Sequence, residues 1–132
     1  MGYESKIIVV NRREIVPENG MPVWVYGDEL ARFDFGKMGY DRVDDKVFWE
    51  IFNTPIDFNL YMGGEFSEDE FYRIDCYGVH CKYTTLDAVI HWLTIWNKDK
   101  GYTRVAPVIS YLADLKAHED SFNNIVVVHY GY

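Results

Sequence analysis

Cations are scarce in this sequence: thirteen Lys and Arg face twenty-one Asp and Glu, a net charge of −8. A surface that binds nucleic acid or an anionic membrane needs clustered Lys and Arg to replace counterions, so the composition argues against both partners and for a basic protein instead. Cysteine is scarcer still, with Cys76 and Cys81 alone, too few for the disulfide framework of a small secreted domain. Long hydrophobic runs are missing as well. The longest apolar-rich run, LDAVIHWLTIW, holds eleven residues with an Asp and a His among them, about half of a membrane span. The start, MGYESKIIVVNRRE, lacks a basic region followed by an apolar one. These absences predict a cytoplasmic protein whose two thiols are reduced.

What is present fits one domain, residues 1–132, long enough to bury a single core. Aromatic residues are abundant, with eleven Tyr, eight Phe and four Trp, which serves a core first and a contact surface second. The charge is segregated. Residues 28–87 hold fourteen acids and six bases, and the remainder of the chain holds seven of each.

KIIVV (6–10) and NIVVV (124–128) are β-branched runs without alternation, the pattern of central strands covered on both faces. They bring the two ends of the chain into one sheet. MPVWVYGDELARFDF predicts a hairpin turning at Gly27-Asp28-Glu29. IDFNLYM alternates Ile56, Phe58, Leu60 and Met62 against Asp57, Asn59 and Tyr61, and FYRIDCY answers it as a second hairpin across the acidic loop GGEFSEDE. A short helix is expected over DDKVFWEIFN, capped by Asp44 or Asp45 and stopped before Pro55. The strongest helix follows Thr84, with Thr84 and Asp87 as a capping box, an apolar stripe of Leu86, Val89, Ile90, Leu93 and Trp96, and a stop at Gly101. A second long helix carries Val105, Val108, Ile109, Leu112 and Leu115, with Pro107 tolerated only in its first turn. The expected fold class is α+β: a mainly antiparallel sheet of five or six strands, with the two longer helices on one face and one short helix.

CYGVHC (76–81) gathers both cysteines and His80, but a structural zinc site takes its four ligands from separated pairs, and no second pair exists. It reads as a strand end, a turn through Gly78 and two thiols, with no metal and no cofactor. Asp87 and His91 stand one helical turn apart, as an acid–base pair would, yet with Thr94 and Lys98 they make an ordinary solvated stripe. SEDE lacks the spacing of a calcium loop, and no phosphate-binding glycine motif, GxSxG or HExxH occurs. No catalytic residue is assigned. The candidate binding residues are the acids and one aromatic of the central loops: Asp41, Asp44, Asp45, Glu65, Phe66, Glu68, Asp69 and Glu70, with Tyr40 and Tyr61 as further apolar anchors.

The opening MGYESKIIVV and the closing NIVVVHYGY resemble the ends of small proteins encoded by bacteriophages and prophages of Gram-positive bacteria. The resemblance covers about a seventh of the chain and transfers no residue role. It implies an acidic accessory protein acting in the host cytoplasm, one that binds and modulates or inhibits a host protein, as a nucleic-acid mimic or as an anti-defence, anti-CRISPR-like inhibitor. The alternative from a different class is a small metal-dependent nuclease or nucleotide hydrolase using Asp and His.

Overall fold

A computed structural model describes residues 5–15, 24–34, 50–61, 80–101, 103 and 105–131. Its elements are β1 (Ser5–Ile15), β2 (Trp24–Asp34), β3 (Thr54–Pro55), β4 (Asn59–Tyr61), β5 (Lys82–Thr85), α1 (Leu86–Lys100), α2 (Val105–Ala117), a 3₁₀ turn (Glu119–Ser121) and β6 (Ile125–Gly131). The six strands form one sheet in the order β3-β5-β6-β1-β2-β4. All neighbours are antiparallel except β2 and β4. The fold is α+β.

β1 and β6 lie side by side at the centre, with Ile8 opposite Val128 and Val10 opposite Val126. Successive residues serve opposite faces, and both faces are covered. Ile7, Val9, Ile125 and Val127 meet Leu86, Val89 and Leu93 of α1 and Val105, Val108 and Leu112 of α2, while Ile8, Val10, Val126 and Val128 meet Ile56, Phe58, Leu60 and Cys81. Ile7 to Val10 have no exposed surface, and burying each contributes about 1.5–3 kcal/mol. No helix among the described residues is long and apolar enough to cross a membrane.

The second core sits inside a curl. β3 and β4 occupy opposite edges of the sheet, which in a flat sheet would be about 24 Å apart, yet Pro55 and Asn59 are linked by a stretch of chain that reaches about 14 Å. The sheet therefore rolls toward this strap. Ile56, Phe58 and Leu60 line the inside of the roll, each at most 2% exposed, and the Ile56 N–H donates to the Cys81 carbonyl at 3.1 Å. Strict alternation in IDFNLYM thus reflects a strap with one face buried, as well as a three-residue strand.

The first predicted hairpin does not form. β2 runs straight through Gly27-Asp28-Glu29 and pairs along its whole length with β1, with an irregularity where Val9 faces Ala31 and Val10 faces Glu29. Leu30 is the extra residue, so Leu30, Ala31 and Phe33 all join the helix-side core. Gly27 is needed for space, because an added Cβ would stand 2.8 Å from Phe58 Cε2 and 3.3 Å from Val10 Cβ. The turn signal of a glycine beside two acids was a strand residue making room for an aromatic ring.

The helix ends show one further correction. Thr85 caps α1, its hydroxyl accepting from the Ala88 N–H at 3.1 Å, whereas Thr84 is a buried residue of β5. A cap at Thr85 leaves Asp87 out of step for a capping box. Gly101 ends α1 in the left-handed region at φ 64°, its N–H donating to the Asn97 carbonyl at 2.7 Å. Of the expected short helix, residues 44–49 lie outside the described residues, Glu50 is helical and Ile51 turns. β4, the described part of the second predicted hairpin, pairs in parallel with β2, and its expected partner FYRIDCY lies outside the described residues.

Candidate functional site

The register of the sheet places four points of the chain at one end of it. Asp34 faces Lys6, Lys6 faces Tyr130, and Ser5 faces Gly131. Lys82 faces His129, which sets His80 two residues beyond, at the same end. The Phe52 ring lies 5.6 Å from the His129 ring, and Glu50 precedes it by two positions. β4, parallel to β2, heads toward that end as it reaches Tyr61. Residues 35–49 therefore leave the described fold there, and residues 62–79 rejoin it there at His80. All eight candidate binding residues, Asp41, Asp44, Asp45, Glu65, Phe66, Glu68, Asp69 and Glu70, with Tyr40, lie in these two segments, outside the described residues.

The two segments differ in charge. Residues 35–49 balance Asp41, Asp44 and Asp45 with Lys37, Arg42 and Lys46, while residues 62–79 set Glu65, Glu68, Asp69, Glu70 and Asp75 against Arg73 alone. Half of the net charge of −8 therefore falls between β4 and β5.

The three arginines of the β1–β2 hairpin are each engaged by an acid: Arg12 with Asp57 at 2.8 Å, Arg13 with Asp28 at 3.7 Å, and Arg32 with Glu29 at 2.7 Å. Arg12 also lies 5.7 Å over the Phe58 ring, fixing the strap by charge and by ring contact. These exposed pairs stabilise by about 0.2–1 kcal/mol each. Their larger effect is to neutralise the cations beside the strap. Sequence reasoning missed this cluster, and its one visible trace was Asp57 on the polar side of an alternating segment.

The sequence motifs resolve individually. Cys81 is buried in the inner core and His80 is exposed, its Nε2 3.1 Å from the Ile56 carbonyl, so these neighbours point apart as strand geometry requires. Cys76 lies outside the described residues. Among the described residues no group of three or more His, Cys, Asp or Glu side chains is placed to hold a metal ion. Asp87 turns away from His91 toward α2, where its carboxylate meets Lys116 Nζ at 3.2 Å. Lys116 also donates to Glu119 at 2.9 Å, and Glu119 first, then Asp87, holds the lysine above its ordinary pKa. His91, Thr94 and Lys98 are exposed, and the stripe is a solvated face. Comparisons with protein-family models, with curated proteins and with solved structures return no match.

Proposed function

We propose that this chain is a non-enzymatic binding module that presents residues 62–79 to a basic surface on another protein, in the manner of a phage-encoded modulator or inhibitor of a host factor. The observation that carries the reading is the charge of that segment, five acids to one base, on a chain path that rejoins the sheet at His80. Glu65, Glu68, Asp69 and Glu70 supply the field, and Phe66 supplies an apolar anchor among them. Asp41, Asp44 and Asp45, matched by three bases in their own segment, contribute position more than net attraction. A nucleic-acid mimic is the same surface used against a basic groove, and an anti-defence inhibitor is one use of it.

Affinity capture of a partner from a host lysate, followed by binding kinetics, tests the proposal. Replacing Glu68, Asp69 and Glu70 by Lys is expected to slow association about ten-fold or more at low salt, with thermal stability unchanged, because charges at the rim of an interface act chiefly on encounter. Unaltered association at low ionic strength refutes it. A melting temperature that rises with magnesium or manganese, with no partner captured, favours the metal-dependent hydrolase instead.

A further inference from the structure

The most exposed large apolar side chain described is Ile95, 57% accessible. It stands on α1 about 200° around the helix from Leu93, which is fully buried against the sheet. A helix with one solvated face needs polar residues at that position. Half-buried Trp92 stands between Leu93 and Ile95, packed on the core edge and stacked on Trp96 with ring centroids 5.6 Å apart. At Ile95, then, the apolar character of α1 reaches the side turned away from its own core.

The charges around Ile95 follow a rule of their own. His91 stands four residues before it and Asp99 four residues after it, with Lys98 beside Asp99; all three are exposed, and no side chain of the three has a hydrogen bond or ion pair among the described residues. When two identical helices pack antiparallel about a two-fold axis through one residue, positions equally far before and after that residue face each other. An axis at Ile95 sets His91 against the partner's Asp99 and Asp99 against the partner's His91. It also sets Trp92 against the partner's Lys98, a cation over an indole. Such a pattern is self-complementary, as an isologous interface requires. A copy packed in parallel would meet like against like.

We propose that the outer face of α1 is an interface between two copies of this chain, packed antiparallel about a two-fold axis at Ile95. One helix from each copy buries less than about 1,200 Å² in all, so the dimer is weak and reversible. It is independent of the acidic segment, which lies on a different part of the chain, and either reading stands if the other fails.

Sedimentation velocity of the full chain over a range of concentrations tests it. The expected result is a concentration-dependent dimer that Ile95→Lys abolishes, since two cations would meet on the axis; circular dichroism of this surface variant reports whether the fold is kept. His91→Asp and Asp99→His should each weaken association about ten-fold, and the double exchange should restore it. In a Cys76→Ser background, Ile95→Cys treated with oxidised glutathione should form a covalent dimer, the two thiols giving up their electrons to the glutathione disulfide. Ser110→Cys, exposed on α2, should cross-link much more slowly. A chain that stays monomeric to millimolar concentration, a double exchange that fails to restore dimerisation, or cross-linking at Ser110→Cys as fast as at Ile95→Cys overturns the proposal.

Discussion

Replacing Gly27 by Ala tests whether the inner core dictates the strap. The backbone at Gly27 does not require glycine, because Gly101 is the residue described with a left-handed φ. Alanine in a strand should stabilise by about 0.5–1 kcal/mol through the unfolded chain. Against this stands contact: the new Cβ would lie 2.8 Å and 3.1 Å from two ring carbons of Phe58 and 3.3 Å from Val10 Cβ, where carbon atoms prefer about 3.5–4.0 Å. Relief requires the ring to move by about 0.7 Å or more. Phe58 is fully buried, with Tyr83 5.8 Å away by ring centroid and Arg12 above it. Overpacking of this kind costs about 1–3 kcal/mol, and the net expectation is a loss of about 1–2 kcal/mol, or about 4 °C in melting temperature per kcal/mol for a chain of this size. Urea titration at equilibrium measures it. Phe58→Leu frees space at the same point, so the double variant should be more stable than additivity allows, by about 1 kcal/mol. A Gly27→Ala protein as stable as the parent, or additive with Phe58→Leu, refutes the claim that glycine is there for the ring.

Removing the chain from Asn124 onward deletes β6 from between β5 and β1 and is expected to abolish cooperative unfolding, checked by circular dichroism with urea; a near-native midpoint would contradict the central position of the strand. Asn11→Ala should cost about 1–3 kcal/mol, since the buried Asn11 Oδ1 accepts from the backbone N–H groups of Asn123 and Asn124 at 3.0 and 3.1 Å; Asn11→Asp, which keeps that oxygen, should lose less in the same titration. Lys116 has its pKa raised in the fold by Glu119 and Asp87, so its contribution is fully present below the ordinary lysine value of about 10.4 and is lost as pH rises through the higher folded value. The stability difference between the parent and Lys116→Met should accordingly stay level from neutral pH to about 9 and shrink above about 10.5, as followed by thermal melts; a difference that grows with alkali would reverse the sign of the argument.

Several features needed nothing beyond the sequence. Two β-branched runs without alternation can satisfy their side chains only where both faces of a sheet are covered, and β1 and β6 lie there. The stripes of Leu86, Val89 and Leu93 and of Val105, Val108 and Leu112 repeat at helical period, and Gly101 and Pro107 mark places where the backbone admits few alternatives. The signals that misled were those with two physical causes. Gly27-Asp28-Glu29 is turn chemistry when read locally, but a glycine is equally required where a ring presses on a strand, and only Phe58, brought 31 positions along the chain to Gly27, decides between them. Thr84 and Thr85 are the same residue type, and which of them caps α1 depends on how far β5 stays paired with β6. The curl of the sheet was hidden because it follows from strand order, and strand order is a property of the pairings β3–β5 and β2–β4, each between segments at least 20 residues apart. Ile95 was visible as an apolar residue out of phase with its helix. Its significance needed the tertiary structure, which turned the rest of the stripe inward and left that one side chain in solvent, because a helix can bury only one face against its own sheet.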